Sequence, residues 1–294
     1  VIVKKNNNNL LNWIFETFAI RISSHQKPFW YTSGTIGPYY INTHFLYGSE
    51  KKAIDLLSFI DNEKENKLTC PKKLLAKTYE NYKSDDIYKG VIDEMCHFIK
   101  NNIELDDVDY ISGGERRDWF FSLPISKILK KPHVTIYKDL DTVITYDDNI
   151  EHLKNLNGGK VLHIADLITE ASSYERAWIP AIKEKGGQIQ WSVVVVDRMQ
   201  GGGELLLKNG IKSFSMINID ANFFKEVLAM GIINQEQFEM INEYLDNPKE
   251  SMANFLKKNP DFLKESLASD SQDSKRAKLC IEKDIYGLKG NILE

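Results

Sequence analysis

Residues 158–173 read Gly-Gly-Lys-Val-Leu-His-Ile-Ala-Asp-Leu-Ile-Thr-Glu-Ala-Ser-Ser. A Gly pair and Lys160 lead into the apolar run 161–164, which ends close to Asp166. A polar turn follows over 169–173, and a helical pattern opens at Tyr174. This is the pattern of a buried parallel strand that carries a carboxylate to its C-terminal tip and then turns into a helix. In α/β sheets ligands bind at that edge. Free N–H groups at such a turn favour a phosphate. A carboxylate at the strand tip suits ribose hydroxyls or a hydrated Mg²⁺.

The same rhythm extends outward. Residues 108–112, 134–138, 160–166, 189–197 and 213–219 predict strands. Residues 119–129, 174–185 and 204–209 predict helices between them. The run 193–196, four consecutive valines, marks a central strand buried on both faces. Alternation of this kind predicts a mainly parallel α/β sheet covered on both sides. Upstream, apolar spacing predicts helices over 10–22, 51–60 and 86–100. The aromatic, Gly- and Pro-rich stretch 27–45 predicts short strands and turns. The segment 61–73, which contains Pro71, reads as a polar connection. Beyond Asp220 the pattern is helical over 223–230, 235–245 and 249–257, with breaks at Pro248 and Pro260. The stretch 266–278 reads as polar and mobile. The expected division is 1–220 for the α/β domain and 221–294 for a helical C-terminal extension.

Composition narrows the function classes. The chain has 294 residues, 42% hydrophobic and 27% charged, with a formal net charge of −4. That balance gives no global electrostatic case for nucleic acid. Cys70, Cys96 and Cys280 are isolated and odd in number, with no spacing for zinc, which fits a reducing cytosol. No stretch of about 18 apolar residues could span a membrane. The run Asn6 to Asn9 interrupts any apolar start, so it reads as a solvated lead-in rather than a signal peptide. P-loop, HExxH and GxSxG motifs are absent, and neither Ser33 nor Ser112 lies in a motif that pairs it with a His. Asp147 and Asp148 read as a solvated loop pair.

Four segments in one order bear on function. Residues 28–42 read Pro-Phe-Trp-Tyr-Thr-Ser-Gly-Thr-Ile-Gly-Pro-Tyr-Tyr-Ile-Asn. Residues 111–121 read Ile-Ser-Gly-Gly-Glu-Arg-Arg-Asp-Trp-Phe-Phe, a strand ending in a Gly pair before a charged turn. Arg116 and Arg117 are natural diphosphate partners there, because guanidinium groups make bidentate charge-assisted contacts. Residues 134–138, Val-Thr-Ile-Tyr-Lys, form a strand that ends on a basic side chain. The fourth segment is 158–173. Together these resemble the orotate phosphoribosyltransferase family, one of the type I phosphoribosyltransferases. The likeness spans roughly residues 10–220. It includes the Asp-Arg and Gly-rich turn at 197–203.

The resemblance implies a type I phosphoribosyltransferase-like parallel sheet with an N-terminal hood. It implies transfer of phosphoribosyl from phosphoribosyl diphosphate (PRPP) to a nucleobase, most naturally orotate, with Mg²⁺ as cofactor and a cytoplasmic homodimer as the working form. It carries PRPP binding to Gly113, Gly114, Arg116, Arg117, Thr169, Ser172 and Ser173. It makes Asp166 the expected metal-binding and catalytic carboxylate and Lys138 the other expected catalytic residue. The hood residues Phe29, Tyr31, Ser33 and Gly34 would bind the base. Three departures stand out. Ala165 occupies the first of the family's two adjacent acidic positions. Glu170 and Ala171 replace a Thr or Ala and a Gly in the phosphate turn. The Lys- and His-bearing catalytic loop has no counterpart after Lys138, where 139–148 follows instead; the nearest His, His152, reads as an exposed helix residue. A non-catalytic binder of a phosphorylated ligand and a transferase for another base are the alternatives.

Overall fold

The structure is a computed structural model and describes residues 8–147 and 149–287. It divides into two compact units. One holds the described residues up to Ala19 with Asn42–Ile219, and the other holds Ile20–Ile41 with the described residues from Asp220 onward. The hood is therefore grouped with the C-terminal helices, whereas the sequence reading placed it with residues 1–220.

In the second unit, strands β1 (Ile20–Ile22) and β4 (Tyr39–Ile41) pair antiparallel, as do β2 (Phe29–Trp30) and β3 (Ile36–Gly37). Helices Ala221–Ala229, Gln235–Asp246, Pro248–Lys258, Pro260–Ala268 and Gln272–Glu282 accompany them. Tyr39 is buried against Phe224 and Tyr244, and Trp30 stacks on Phe262. The Trp30 indole N–H donates to Ser266 Oγ at 2.9 Å, and Arg276 donates to the Trp30 carbonyl at 2.9 Å. The stretch expected to be mobile, 266–278, is thus mostly helical. Its second helix is capped by Ser271, which accepts from the Asp273 N–H, and buries Ser274, Ala277 and Cys280 on one face.

The first unit is built on a seven-stranded sheet. Its strands are β5 (Tyr110–Gly114), β6 (His133–Ile136), β7 (Thr142–Tyr146), β8 (Asn149–His152), β9 (Lys160–Ile168), β10 (Gln188–Asp197) and β11 (Lys212–Asn218). The order is β11-β10-β9-β5-β6-β7-β8. The five strands β11 to β6 in that order are parallel, and β7 and β8 add an antiparallel hairpin at the edge. This hairpin follows Lys138, where the resemblance implies a catalytic loop. His152 consequently lies on an exposed strand, not a helix, with Nδ1 3.6 Å from Asp141. Asp148 lies outside the described residues, as do residues 1–7 of the lead-in.

The helix Trp119–Leu129 follows β5 and is buried along nearly its whole length. Two expectations change upstream. The first helix, Asn8–Glu16, stops before the predicted end, and Phe18 takes a φ of 58° ahead of β1. The segment read as a connection opens a helix, Cys70–Ser84, with Pro71 in its first turn. Proline lacks only an N–H that is unpaired at that position, so it starts a helix as readily as it ends one. Among the described residues, no helix is long and apolar enough to cross a membrane.

Candidate functional site

The C-terminal ends of β5, β6 and β9 converge on one cavity of about 360 Å³. Its lining includes Glu115, Arg116, Arg117 and Asp118 from the turn after β5, and Lys138 from beyond β6. Residues 165–174 and Trp178 complete it. Arg116, Arg117, Lys138, Asp166, Thr169, Ser172 and Ser173, picked from separate segments, therefore share one site. Gly113 and Gly114 form the end of β5 immediately before it. Phe29, Tyr31, Ser33 and Gly34 belong to the other unit. There Phe29 and Tyr31 pack on Tyr40, and Ser33 bonds Thr35. Gly34 has a φ of 85°, and a Cβ on it would stand 3.1 Å from the Cys280 nitrogen.

The Gly pair has a packing reason rather than a conformational one. A Cβ on Gly114 would lie 2.2 Å from the Trp178 ring, and one on Gly113 would lie 2.2 Å from Ser122 Oγ. Neither glycine needs a positive φ. After Gly114 the Glu115–Arg116 peptide is cis. The Glu115 carboxylate accepts from the Lys138 backbone N–H at 3.1 Å and pairs with Lys64 at 3.2 Å. It thereby joins the charged turn to the end of β6. Arg116 pairs with Asp61. Arg117 has no ion pair among the described residues, although its charge acts on both Asp166 and His44.

Asp118 is the residue that sequence reasoning undervalued. It is buried, and one carboxylate oxygen accepts the Gly114 N–H at 3.0 Å while the other accepts the Asp166 N–H at 3.1 Å. A single side chain thus fastens the turn after β5 to the tip of β9. Beneath it lies His163, whose Nε2 is 3.6 Å from Asp118 and whose Nδ1 meets Ser112 Oγ at 2.8 Å. This Ser-His-Asp line is no nucleophile, because Ser112 and His163 are fully enclosed. It is a polar support in the core. Sequence reasoning left Ser112 without a partner, since 51 residues separate it from His163.

Asp166 is also buried, and its Oδ2 has no hydrogen-bond partner. Burial first, and the neighbouring Asp118 carboxylate second, push its acid up from the ordinary range to about 8, against the pull of Arg117. A buried carboxylate oxygen without a partner is costly when ionised, and Asp166 is one of the residues that line the cavity. No group of three or more His, Cys, Asp or Glu side chains among the described residues could cage a metal alone. The donor set fits Mg²⁺ in the way that ion is commonly held, by one or two carboxylates together with water and substrate oxygens.

The turn after β9 holds an alanine in a conformation that L residues rarely adopt. Ala171 is buried at a φ of 56°, a conformation that favours glycine. The Thr169 carbonyl is held by the Gly202 N–H at 2.9 Å, and Arg176 Nε donates to the Ser172 carbonyl at 3.2 Å. Glu170 is exposed while still lining the cavity. The following helix opens with a π-turn, Tyr174–Trp178, before Ile179–Glu184. The wider turn buries Tyr174 and Trp178 against the His163 ring, and Tyr174 bonds Ser192 at 2.6 Å.

The chain belongs to the orotate phosphoribosyltransferase family. The orotate phosphoribosyltransferase of Staphylothermus marinus is 30% identical over 172 residues, which are 56% of this chain and 77% of that protein. The orotate phosphoribosyltransferase of Methanosphaera stadtmanae is 29% identical over 179 residues, 61% of this chain and 98% of that protein. Among solved structures, the orotate phosphoribosyltransferase of Francisella tularensis superposes with a TM-score of 0.52 at 14% identity. That match covers 80% of this chain and 96% of the other, and it shows the type I phosphoribosyltransferase fold. No family model matches the chain.

Proposed function

We propose that this chain transfers phosphoribosyl from PRPP to a nucleobase, with orotate as the leading base. The bond from the ribose C1 to pyrophosphate breaks, a C1–N bond forms, and the base releases its N–H proton. The observation that carries this reading is one cavity lined by Asp166, whose buried Oδ2 is unpartnered, together with Arg116, Arg117 and Lys138. That combination suits a ligand with hydroxyls or a bound cation at one part and a diphosphate at another. Asp166 would hold the ribose hydroxyls or Mg²⁺, which would supply positive charge to the pyrophosphate oxygens. Arg116, Arg117 and Lys138 would bind the departing pyrophosphate, and their positioned charge would supply much of the catalysis. Thr169, Ser172 and Ser173 would take the 5′-phosphate. Phe29, Tyr31, Ser33 and Gly34 remain the candidates for the base. A cytoplasmic homodimer is the form that the resemblance implies.

The test is calorimetric titration with PRPP, with and without Mg²⁺, followed by an assay across several bases. Turnover of orotate at about 1 per second or faster would place the chain among ordinary enzymes. PRPP binding with no turnover of any base would establish a binder instead. The edge hairpin β7–β8, which stands in place of a catalytic loop, is the feature that favours that second reading. Absence of PRPP binding would remove both.

The phosphate turn supplies a separate prediction. Replacing Glu170 with Thr and Ala171 with Gly should tighten PRPP binding about fivefold, close to 1 kcal/mol, because an exposed carboxylate repels a phosphate only weakly through water. The glycine should be neutral to stabilising: relief of a left-handed alanine is offset in part by the greater freedom of Gly in the unfolded chain. Calorimetry on the double variant checks this, and an unchanged or weaker affinity would show that the native turn already suits its ligand.

A further inference from the structure

The type I pattern supplies two acids side by side on one strand, and here the first of those positions is Ala165. The cavity nevertheless contains two carboxylates. Asp118 lines it from the turn after β5, next to Asp166 at the tip of β9. We propose that Asp118 is the second acid of the ribose and cation subsite, brought in from the neighbouring strand's turn to stand where Ala165 offers none. The inference deepens the phosphoribosyltransferase reading and rests on it.

Three observations support it. The Asp118 carboxylate is fixed from two sides by the Gly114 and Asp166 N–H groups, so its position is set before any ligand arrives. Each of its oxygens accepts one backbone N–H, which leaves further lone pairs for a hydroxyl or a hydrated cation. Beside it, Asp166 lines the same cavity and is more than nine-tenths buried, with one carboxylate oxygen unpartnered. Two neighbouring acids in so enclosed a place repel each other unless a proton or a cation lies between them.

Charge and strut make opposite predictions without metal. In Asp118→Asn, the bare PRPP polyanion meets one negative charge fewer, so its affinity without Mg²⁺ should stay level or rise. The Mg²⁺ needed for half-maximal PRPP binding should increase about 10- to 100-fold, the range seen when a group supporting a metal is lost. Calorimetry with PRPP over a Mg²⁺ series, on native and variant protein with matched melting curves, reads both quantities. If affinity falls equally with and without Mg²⁺, Asp118 is only a strut and the proposal fails. It fails equally if neither quantity changes. Should Asp118→Asn not fold, Asp118→Ser keeps a short acceptor just ahead of the helix Trp119–Leu129 and is judged by the same two readings. If native protein binds no PRPP at all, the functional reading itself has failed, an outcome distinct from either result on the variant.

Discussion

Replacing Arg116 and Arg117 together with alanine should weaken PRPP binding by roughly 2 to 5 kcal/mol, the scale of losing charged contacts to an enclosed partner. Inorganic pyrophosphate should lose a comparable amount, because the two guanidinium groups line the cavity beside the Gly114 turn. Most of the loss should come from Arg117. Arg116 already pairs with Asp61, and a ligand must displace that carboxylate, whereas Arg117 has no such competitor among the described residues. The fold should persist, since the Arg116–Asp61 pair is partly solvent-exposed and pairs of that kind contribute about 1 kcal/mol or less. Unchanged affinity for PRPP and pyrophosphate in a folded double variant would reduce the pair to a solvated turn.

The sequence exposed this site because its chemistry sits on short, local patterns. Each strand ends in an apolar run followed at once by a Gly pair, a Lys or an Asp, and the sheet gathers those ends. The helix Trp119–Leu129 was equally plain, since nearly every residue in it is apolar or small and buried. What stayed hidden depends on contacts remote in sequence or on weak periodicity. The helix Cys70–Ser84 buries only Cys70, Pro71, Leu74 and Thr78, too narrow a stripe to stand out from its charged residues. The hairpin β7–β8 was hidden by the acidic residues around it. Asp118 looked like one more charge in a charged turn, because its partners, the N–H groups of Gly114 and Asp166, are backbone atoms that carry no sequence signature. Nothing local explains the Gly pair: Trp178, more than 60 residues away, determines that Gly114 can bear no side chain.

Asp166→Asn should make the ligand-free protein more stable at about pH 8, by about 1 to 3 kcal/mol, while abolishing Mg²⁺-dependent PRPP binding. The reason is the raised acid. In the unfolded chain Asp166 ionises near pH 4. In the folded chain, burial and then Asp118 hold the proton on until about pH 8. Between those values the folded state binds the extra proton, so the stability contributed by Asp166 falls as pH rises, then levels off above the folded value. An asparagine carries no such titration, and its amide can donate to the Asp118 carboxylate. Urea unfolding of both proteins at about pH 5 and about pH 8 should therefore show a gap that widens toward alkaline pH. A variant less stable than native at both pH values would mean that the carboxylate of Asp166 is a structural bond. Greater stability bought with loss of the ligand would instead identify Asp166 as a side chain kept in an unfavourable place for what it binds.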